Sequence, residues 1–354
     1  MKKPIAVDRA FRWVISDESP AVKALALEQL LGHPSDDREV VASRALAMDL
    51  PLISSILNAL GESGRFYDAK IERKYGPLTA RSGYLPKYKA TTWQAIFLAQ
   101  MGAEPGDERV VRLCKGILDE NYLPHRRTLG LKFEFKGKAR EETPPCFAAN
   151  MAYSLSRLGF AKDARVRETL DWILKYQRFD DGEWHTPKEW PYRGRDDRCF
   201  GSHSCFIGVT QSFRAIAGIP ESERTLAERQ FLERAVEYVL AHRLFERSKA
   251  PGVPIKSWMG RLSFPNTYAG DFLSTLEVLS WLNVRGPSVD YCLDHLMSKM
   301  LPDGRFPLED GVRRSALHFV PEKKGQPSRW VTLKALSVLK RYGLIGIESR
   351  VSSS

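Results

Sequence analysis

Five apolar segments of this chain end alike, at nearly constant intervals. LAQMG closes at Gly102, SLSRLG at Gly159, FRAIAG at Gly218, LSWLN at Asn283 and LKRYG at Gly343, in steps of 57, 59, 65 and 60 residues. Between them lie VVRLCKGILDENYL, RETLDWILKYQRFDDGEW, ERAVEYVLAHRLF and VDYCLDHLMSKMLPDGRF, each again about 60 residues from the next. Apolar residues at three and four spacing, repeated with that period, mark helical hairpins. One hairpin cannot bury its apolar face alone, so the repeat commits the chain to stacking each hairpin on its neighbours. The turns GESGRF, FDDGEW and LPDGRF share a small or acidic residue, a Gly, one polar residue and an aromatic. The Gly supplies a left-handed helix stop and the aromatic folds back onto its hairpin.

The N-terminal region reads the same way. Residues 6–17 and 20–31 are helical by spacing, with Ser19 as N-cap, Pro20 at a helix start and Gly32 at a stop. Residues 38–60 give a helix broken at Pro51, and Tyr67 to Lys87, with Gly76, Pro77, Gly83 and Pro86, reads as an irregular loop. No useful β-alternation is found, so the fold class is all-α, a single domain over residues 1–350 with a disordered tail at 351–354. The composition, 43% hydrophobic and 27% charged, is that of a globular protein. No apolar run nears the roughly 18 residues of a membrane span, and MKKPIAVDRAF lacks the apolar centre of a signal peptide. These features predict a cytoplasmic protein, with peripheral membrane contact left open. Five Cys without dense spacing point to thiols or metal ligands rather than disulfides. Cys114 and Cys292 fall in outer helices as packing residues, whereas Cys146, Cys199 and Cys205 lie at helix entrances. A net charge of +11 favours anionic partners: a phosphorylated substrate, an anionic membrane surface or nucleic acid. No basic stripe follows successive repeats, which argues against nucleic acid.

Such hairpins can stack into an open solenoid or close into a ring, and periodicity does not choose. The run Gln177-Arg178-Phe179-Asp180-Asp181-Gly182-Glu183-Trp184 resembles the Gln-Trp motif of squalene-hopene and oxidosqualene cyclases. The 60-residue hairpins are similar to those of that terpenoid cyclase superfamily, with its squalene cyclase repeats, and of protein prenyltransferase β subunits. The resemblance implies an (α/α)6 toroid. Inner helices ending at Gly32, Gly102, Gly159, Gly218, Asn283 and Gly343 would enclose a central cavity, and the N-terminal helix would complete an outer ring.

In a toroid, function is expected where the inner helices begin, since their free N–H groups and dipoles converge there. Thirteen residues before the aligned ends stand Lys89, Cys146, Cys205, Gly270 and Trp330; fifteen before, Lys87, Pro144, His203, Tyr268 and Ser328. Twelve before, Asp271 falls beside Phe147 and Phe206. This mouth collects Cys, His, Asp, Lys and aromatics, although Cys146 and Cys205 also fit as small apolar residues at a crowded helix start.

The loop before the fourth inner helix has the residue types of a zinc site: Asp197, Cys199, His203 and Cys205, with His318 farther on. Its Asp-x-Cys, preceded by Arg193 and Arg195, resembles the zinc and diphosphate loop of prenyltransferase β subunits. It departs from that family in having Ser328-Arg329-Trp330 at the third ligand position, and Asp197 also fits as a helix cap or an Arg partner. Asp196 and Asp197 are candidate acids by analogy with the D-x-D-D motif of class II terpenoid cyclases, although their Arg flanks favour the ionised form. The metal-binding D-D-x-x-D of ionisation-type synthases is absent, and Asp180 and Asp181 read as turn residues.

Aromatic residues near helix entrances, Trp93, Trp184, Trp190, Trp258, Tyr268 and Trp330, would either wall a cavity and stabilise a cation or pack hairpin on hairpin. Lys87, Lys89, Arg126, Arg127, Arg193, Arg195, Arg198, Arg261 and Arg329 would receive a diphosphate or form a solvated rim. The expectation is an enzyme-like cavity protein for an isoprenoid or another apolar chain with an anionic head, acting by transfer or cyclisation. Asp196, Asp197 and His203 would be catalytic. Lys89, Trp93, Arg193, Arg195, Tyr268, Asp271, Arg329 and Trp330 would bind substrate, and zinc is the cofactor to test. The alternatives are a non-catalytic toroid that binds a ligand or protein, and an α/α-toroid carbohydrate enzyme using His185, Tyr268 and Arg261.

Overall fold

Wherever the sequence repeats, helices form. The computed structural model describes residues 7–189, 191–192 and 199–346. One set of helices comprises α2 (Pro20–Ala26, continued by a π-helical turn Leu27–Leu31), α7 (Thr91–Met101), α9 (Pro145–Leu155), α11 (Phe206–Ala217), α13 (Phe272–Trp281) and α15 (Arg329–Arg341). A second set comprises α1 (Asp8–Val14), α3 (Arg38–Asp49), α4 (Pro51–Asn58), α8 (Glu108–Asn121), α10 (Ala164–Tyr176), α12 (Leu226–Ala241) and α14 (Pro287–Met297). Each first-set helix packs against a partner: α2 on α3, α7 on α8, α9 on α10, α11 on α12, α13 on α14 and α15 on α1. First-set helices also touch in succession, α7 with α9, α9 with α11, α11 with α13, α13 with α15, and α15 with α2.

The two sets differ as their patterns require. In α8 the buried residues Val110, Leu113, Cys114, Ile117, Leu118 and Asn121 form one stripe, so the helix has a wet face. In α7 every residue except Gln100 is buried, so the helix is enclosed on all sides. Phe97, Phe147, Phe213 and Phe272 are fully buried on four consecutive first-set helices. Burying each contributes about 2–3 kcal/mol, and truncating one to Ala would cost about 3–5 kcal/mol.

The helix stops behave as the sequence predicts at Gly32, Gly102, Gly159, Asn283 and Gly343, all at positive φ. Gly218 is the exception, with φ −69°. A Cβ there would lie 3.2 Å from the Tyr153 ring, so close approach accounts for this glycine. Ser19 makes no side-chain cap bond. The segment expected to be a loop holds two short helices, α5 (Ala69–Tyr75), capped by Asp68, and α6 (Pro77–Arg81), opened by Pro77. Three small antiparallel hairpins, absent from the sequence reading, join helices: β1 (Tyr122–Leu123) with β2 (Thr128–Leu129), β3 (Leu131–Phe135) with β4 (Lys138–Glu142), and β5 (Glu246–Arg247) with β6 (Ala250–Pro254). Two of them are too short to carry an alternation signal, but β3, LKFEF, alternates strictly and its signal was missed. Among the described residues no single helix is long and apolar enough to cross a membrane; α3 and α4 reach the length together but are bent by 54°.

Candidate functional site

The expected mouth, at the start of the first-set helices, is filled. Trp93 is 2% exposed and donates its indole N–H to the Tyr84 carbonyl at 2.8 Å. Its ring meets those of Tyr84, Tyr88 and Tyr268 at 5.3, 4.9 and 5.7 Å. Burial pushes the Tyr84 hydroxyl up to about 12 and the Tyr268 hydroxyl well above its usual range. Behind these rings the segment 263–270 inserts between the helices, and three side-chain amides grip its backbone. Gln100 donates to the Asn266 carbonyl at 2.7 Å and accepts from its N–H at 2.8 Å. Asn150 donates to the Tyr268 carbonyl at 2.9 Å, and Gln211 to the Ala269 carbonyl at 3.0 Å. Asp271 is engaged by the protein itself. It caps α13 at the Ser274 N–H (2.9 Å) and also accepts from the Ser263 N–H and hydroxyl, both at 2.9 Å. Outside this plug remains a depression of about 510 Å³ bordered by Tyr88 and Trp258.

The Gln-Trp-like turn locks one hairpin, as its spacing suggests, and also builds a site. Gln177 accepts from the Ser212 hydroxyl of α11 at 3.1 Å, tying the end of α10 to the next helix. Arg178 pairs with Asp180 at 2.8 Å and lies 4.2 Å over the Trp184 ring. The turn then pairs with the strand-like run before α11: Ser204 N–H to the Asp180 carbonyl at 2.8 Å, and Gly182 N–H to the Ser202 carbonyl at 2.9 Å. This register sets His203 opposite Asp181, with Nδ1 3.1 Å from Oδ1. Asp181 is therefore more than a turn residue. Its Oδ2 accepts from the Ser248 hydroxyl at 2.5 Å, and Oδ1 lies 3.7 Å from His242 Nε2. Burial opposes its ionisation, but the hydrogen bonds from Ser248 and His203 prevail and hold the carboxyl below its usual range. A pocket of about 470 Å³ surrounds these groups, with Phe206, Tyr238, Arg247, Lys249 and Ile255 on its walls.

Among the described residues of the expected zinc set, Cys199, His203 and Cys205 do not converge. His203 turns to Asp181, while Cys199 donates to Cys146 across the start of α9. The Cys199 hydrogen bond, joined by one from the Tyr268 hydroxyl, holds the Cys146 thiol low against the opposing effect of burial. Cys205, beside it, is pushed up to about 11 by burial. Among the described residues no group of three His, Cys, Asp or Glu is arranged to hold a metal ion. Asp196, Asp197, Arg193, Arg195, Arg198 and Trp190 lie outside the described residues. His318 is elsewhere, with Nε2 donating to the Lys89 carbonyl at 2.9 Å and its ring 4.9 Å from Phe66. That bond uses the Lys89 backbone, so it gives the Lys89 side chain no role. Arg329 is likewise engaged within the protein. Its guanidinium stacks 4.5 Å over Trp13 and donates to the Trp13 carbonyl, Ser16 and Glu18, fastening α1 to α15.

A second unfilled space is at the opposite ends of the first-set helices. A cavity of about 490 Å³ is lined by residues of α2 and its π-helical turn, α7, α9, α11, α13 and α15, mostly from their C-terminal halves. Trp330 does reach it, stacked on Phe264 of the plug at 4.5 Å. Five cations line the space, Arg157, Arg214, Arg224, Lys334 and Arg341, against two carboxylates. Both acids are engaged, Glu28 by Arg44 at 3.0 Å and Glu277 by Lys334 at 3.6 Å. Arg214 is 6% exposed, packs 4.4 Å over Tyr153 and donates to Asn150 at 2.9 Å. Its buried Nε has no acceptor among the described residues, and burial lowers its pKa. Arg341 is reached by water yet stands in the concavity, where desolvation lowers its pKa too. The sequence did carry a signal for this cluster: Arg157, Arg214 and Arg341 each precede one of the aligned helix stops.

No family model matches the chain, and no curated protein matches it in sequence.

Proposed function

We propose that the hairpins close into an α/α toroid of the terpenoid cyclase and prenyltransferase type, and that its axial cavity binds a ligand with an anionic head. Closure is supported by the succession of contacts from α7 through α15 to α2. It is also supported by Leu25 of α2, whose side chain lies 3.0 Å from where a Cβ on Gly102, at the end of α7, would stand. The observation that carries the ligand class is the cationic surplus: around a 490 Å³ space Lys334 is spent on Glu277 and Glu28 is held by Arg44, which leaves Arg157, Arg214, Arg224 and Arg341. Charge-assisted hydrogen bonds from such a set suit phosphate or diphosphate oxygens, and Trp281, Trp330 and Leu333 offer an apolar wall beside them. Since both carboxyls lining the cavity are committed, the cavity supplies binding rather than an acid for cyclisation, which favours the ligand-binding reading over a cyclase.

Calorimetric titration with inorganic pyrophosphate and with geranylgeranyl diphosphate tests this reading. Both are expected to bind, the lipid more tightly. Arg214→Gln and Arg341→Gln should each weaken binding about tenfold or more, the worth of a charge-assisted hydrogen bond. Absence of binding by either probe, or unchanged affinity in both variants, would reject it.

A further inference from the structure

The pocket around His203 lies at the other end of α11 from the axial cavity: Phe206 opens the helix beside His203, whereas Ala217 and Gly218 line the cavity. Twelve residues of helix put these ends about 18 Å apart, so the two spaces are separate. We propose that this pocket is a hydrolytic site for an anionic acyl ester, with His203 as general base, Asp181 as its positioning residue and Lys249 as the cation that receives substrate charge.

The assignment of roles follows from which atoms are occupied. Asp181 cannot act as a nucleophile, because Oδ1 is held by His203 and faces His242 while Oδ2 is held by Ser248. An ionised carboxylate only accepts, so the His203 Nδ1 beside it carries the hydrogen, and in the neutral ring Nε2 is the basic nitrogen. The His203 side chain is 62% exposed, so water and substrate reach that nitrogen. Ser248 gives its hydrogen to Asp181 rather than to a histidine, so it is not an activated nucleophile. His242 is 5% exposed, with Nδ1 donating to the Tyr238 carbonyl at 2.8 Å and Nε2 turned to Asp181 at 3.7 Å, so it is set apart from water and substrate.

Lys249 is placed beside the base. Its ammonium donates to the Asp181 carbonyl at 3.2 Å. A Cβ built on Gly182 would meet Lys249 Nζ at 3.3 Å and His203 Nε2 at 3.4 Å, so the two nitrogens are no more than 6.7 Å apart. Gly182, at φ +119°, thus leaves the space in which ring and ammonium meet over the turn. That upper bound keeps base and cation within reach of one ester group. As water attacks the carbonyl, His203 Nε2 takes its proton and the carbonyl π electrons pass to oxygen, where the Lys249 ammonium balances the charge. The C–O bond to the alcohol then breaks, His203 returns the proton to the departing alkoxide, and acid and alcohol are released with one water consumed. Arg247 on the pocket wall accounts for the preference for a substrate that carries its own negative charge.

Hydrolysis of 4-nitrophenyl hemisuccinate and of 4-nitrophenyl acetate by the full chain provides the test. The anionic ester should be turned over faster. His203→Ala should lower kcat/KM at least 100-fold. Asp181→Asn should lower kcat with KM nearly unchanged, and Lys249→Ala should lower kcat about tenfold or more. His203→Asn serves if the alanine variant does not fold by circular dichroism. Pyrophosphate binding by the His203 variants should remain that of the parent, which keeps this site's failure distinct from that of the axial cavity. No turnover of either ester above the protein-free rate, equal rates with the folded His203 variant, or equal preference for the two esters would overturn the proposal.

Discussion

Asp271 offers the clearest contest between a ligand contact and an architectural one. Replacing it with Ala removes the α13 cap, worth about 1 kcal/mol, and two charge-assisted hydrogen bonds to Ser263, worth about 1.5 kcal/mol each. At 5% exposure water does not take over these partners, so the expected loss is about 4 kcal/mol. In a chain of this length that corresponds to roughly 8 °C in Tm, at the lower end of the per-kilocalorie shift. Asp271→Asn retains one acceptor and should lose about half as much. Urea unfolding followed by tryptophan fluorescence gives the energies, and hydrogen exchange gives the location. Asp271→Ala should speed exchange at Ser263 and across 266–270, because the plug hangs from this carboxylate as well as from Gln100, Asn150 and Gln211. A loss below about 1 kcal/mol, or unchanged protection of that segment, would refute the reasoning. A residue acting only on substrate would leave both quantities where they were.

Burial holds His318 below the ordinary imidazole range. Its stabilising contribution is therefore present above the unfolded value near 6.5 and is lost as pH falls through the folded one. Urea midpoints between pH 7 and 5 should drop less steeply in His318→Gln than in the parent, and parallel slopes would count against this assignment. Arg329→Ala should cost about 2–3 kcal/mol and expose the α1 segment to limited proteolysis, since one guanidinium serves Trp13, Ser16 and Glu18; an uncut N-terminus would contradict that role. Burial pushes the Cys114 and Cys292 thiols up to about 12. Iodoacetamide on the native protein should label the partly exposed Cys199 before either of them, and mass mapping that finds Cys114 labelled first would reverse the assignment.

Apolar spacing and helix stops are local properties, which is why the hairpins could be read from the chain while the plug could not. The segment SFPNTYAG has no period, and what places it is a set of amides on helices otherwise apolar. Gln100, Asn150 and Gln211 were nonetheless a usable sign. An amide on a helix enclosed on every side must find its partner in chain from elsewhere, and here the partner is the backbone of residues 266–269. Asp181 was hidden for a different reason. Its partner lies 22 residues away, and the pairing of residues 180–182 with 202–204 that joins them has no sequence signature of its own.

The expected mouth is the most instructive case, since the helix dipole that suggested it also accounts for the cations at the opposite end. Free N–H groups at the start of each first-set helix attract anions, but here the aromatic side chains and the plug fill that end. At the opposite end the carbonyls favour cations, and Arg157, Arg214 and Arg341 stand within the last residues before their helix stops. Each helix end contributes only about half a unit of negative charge, spread over its last turn. The carboxylates between them are already paired, so the cations that satisfy the helix termini also leave a net positive space between them. In the proposed toroid, the architecture that closes one end of the axis to an anion therefore opens the other.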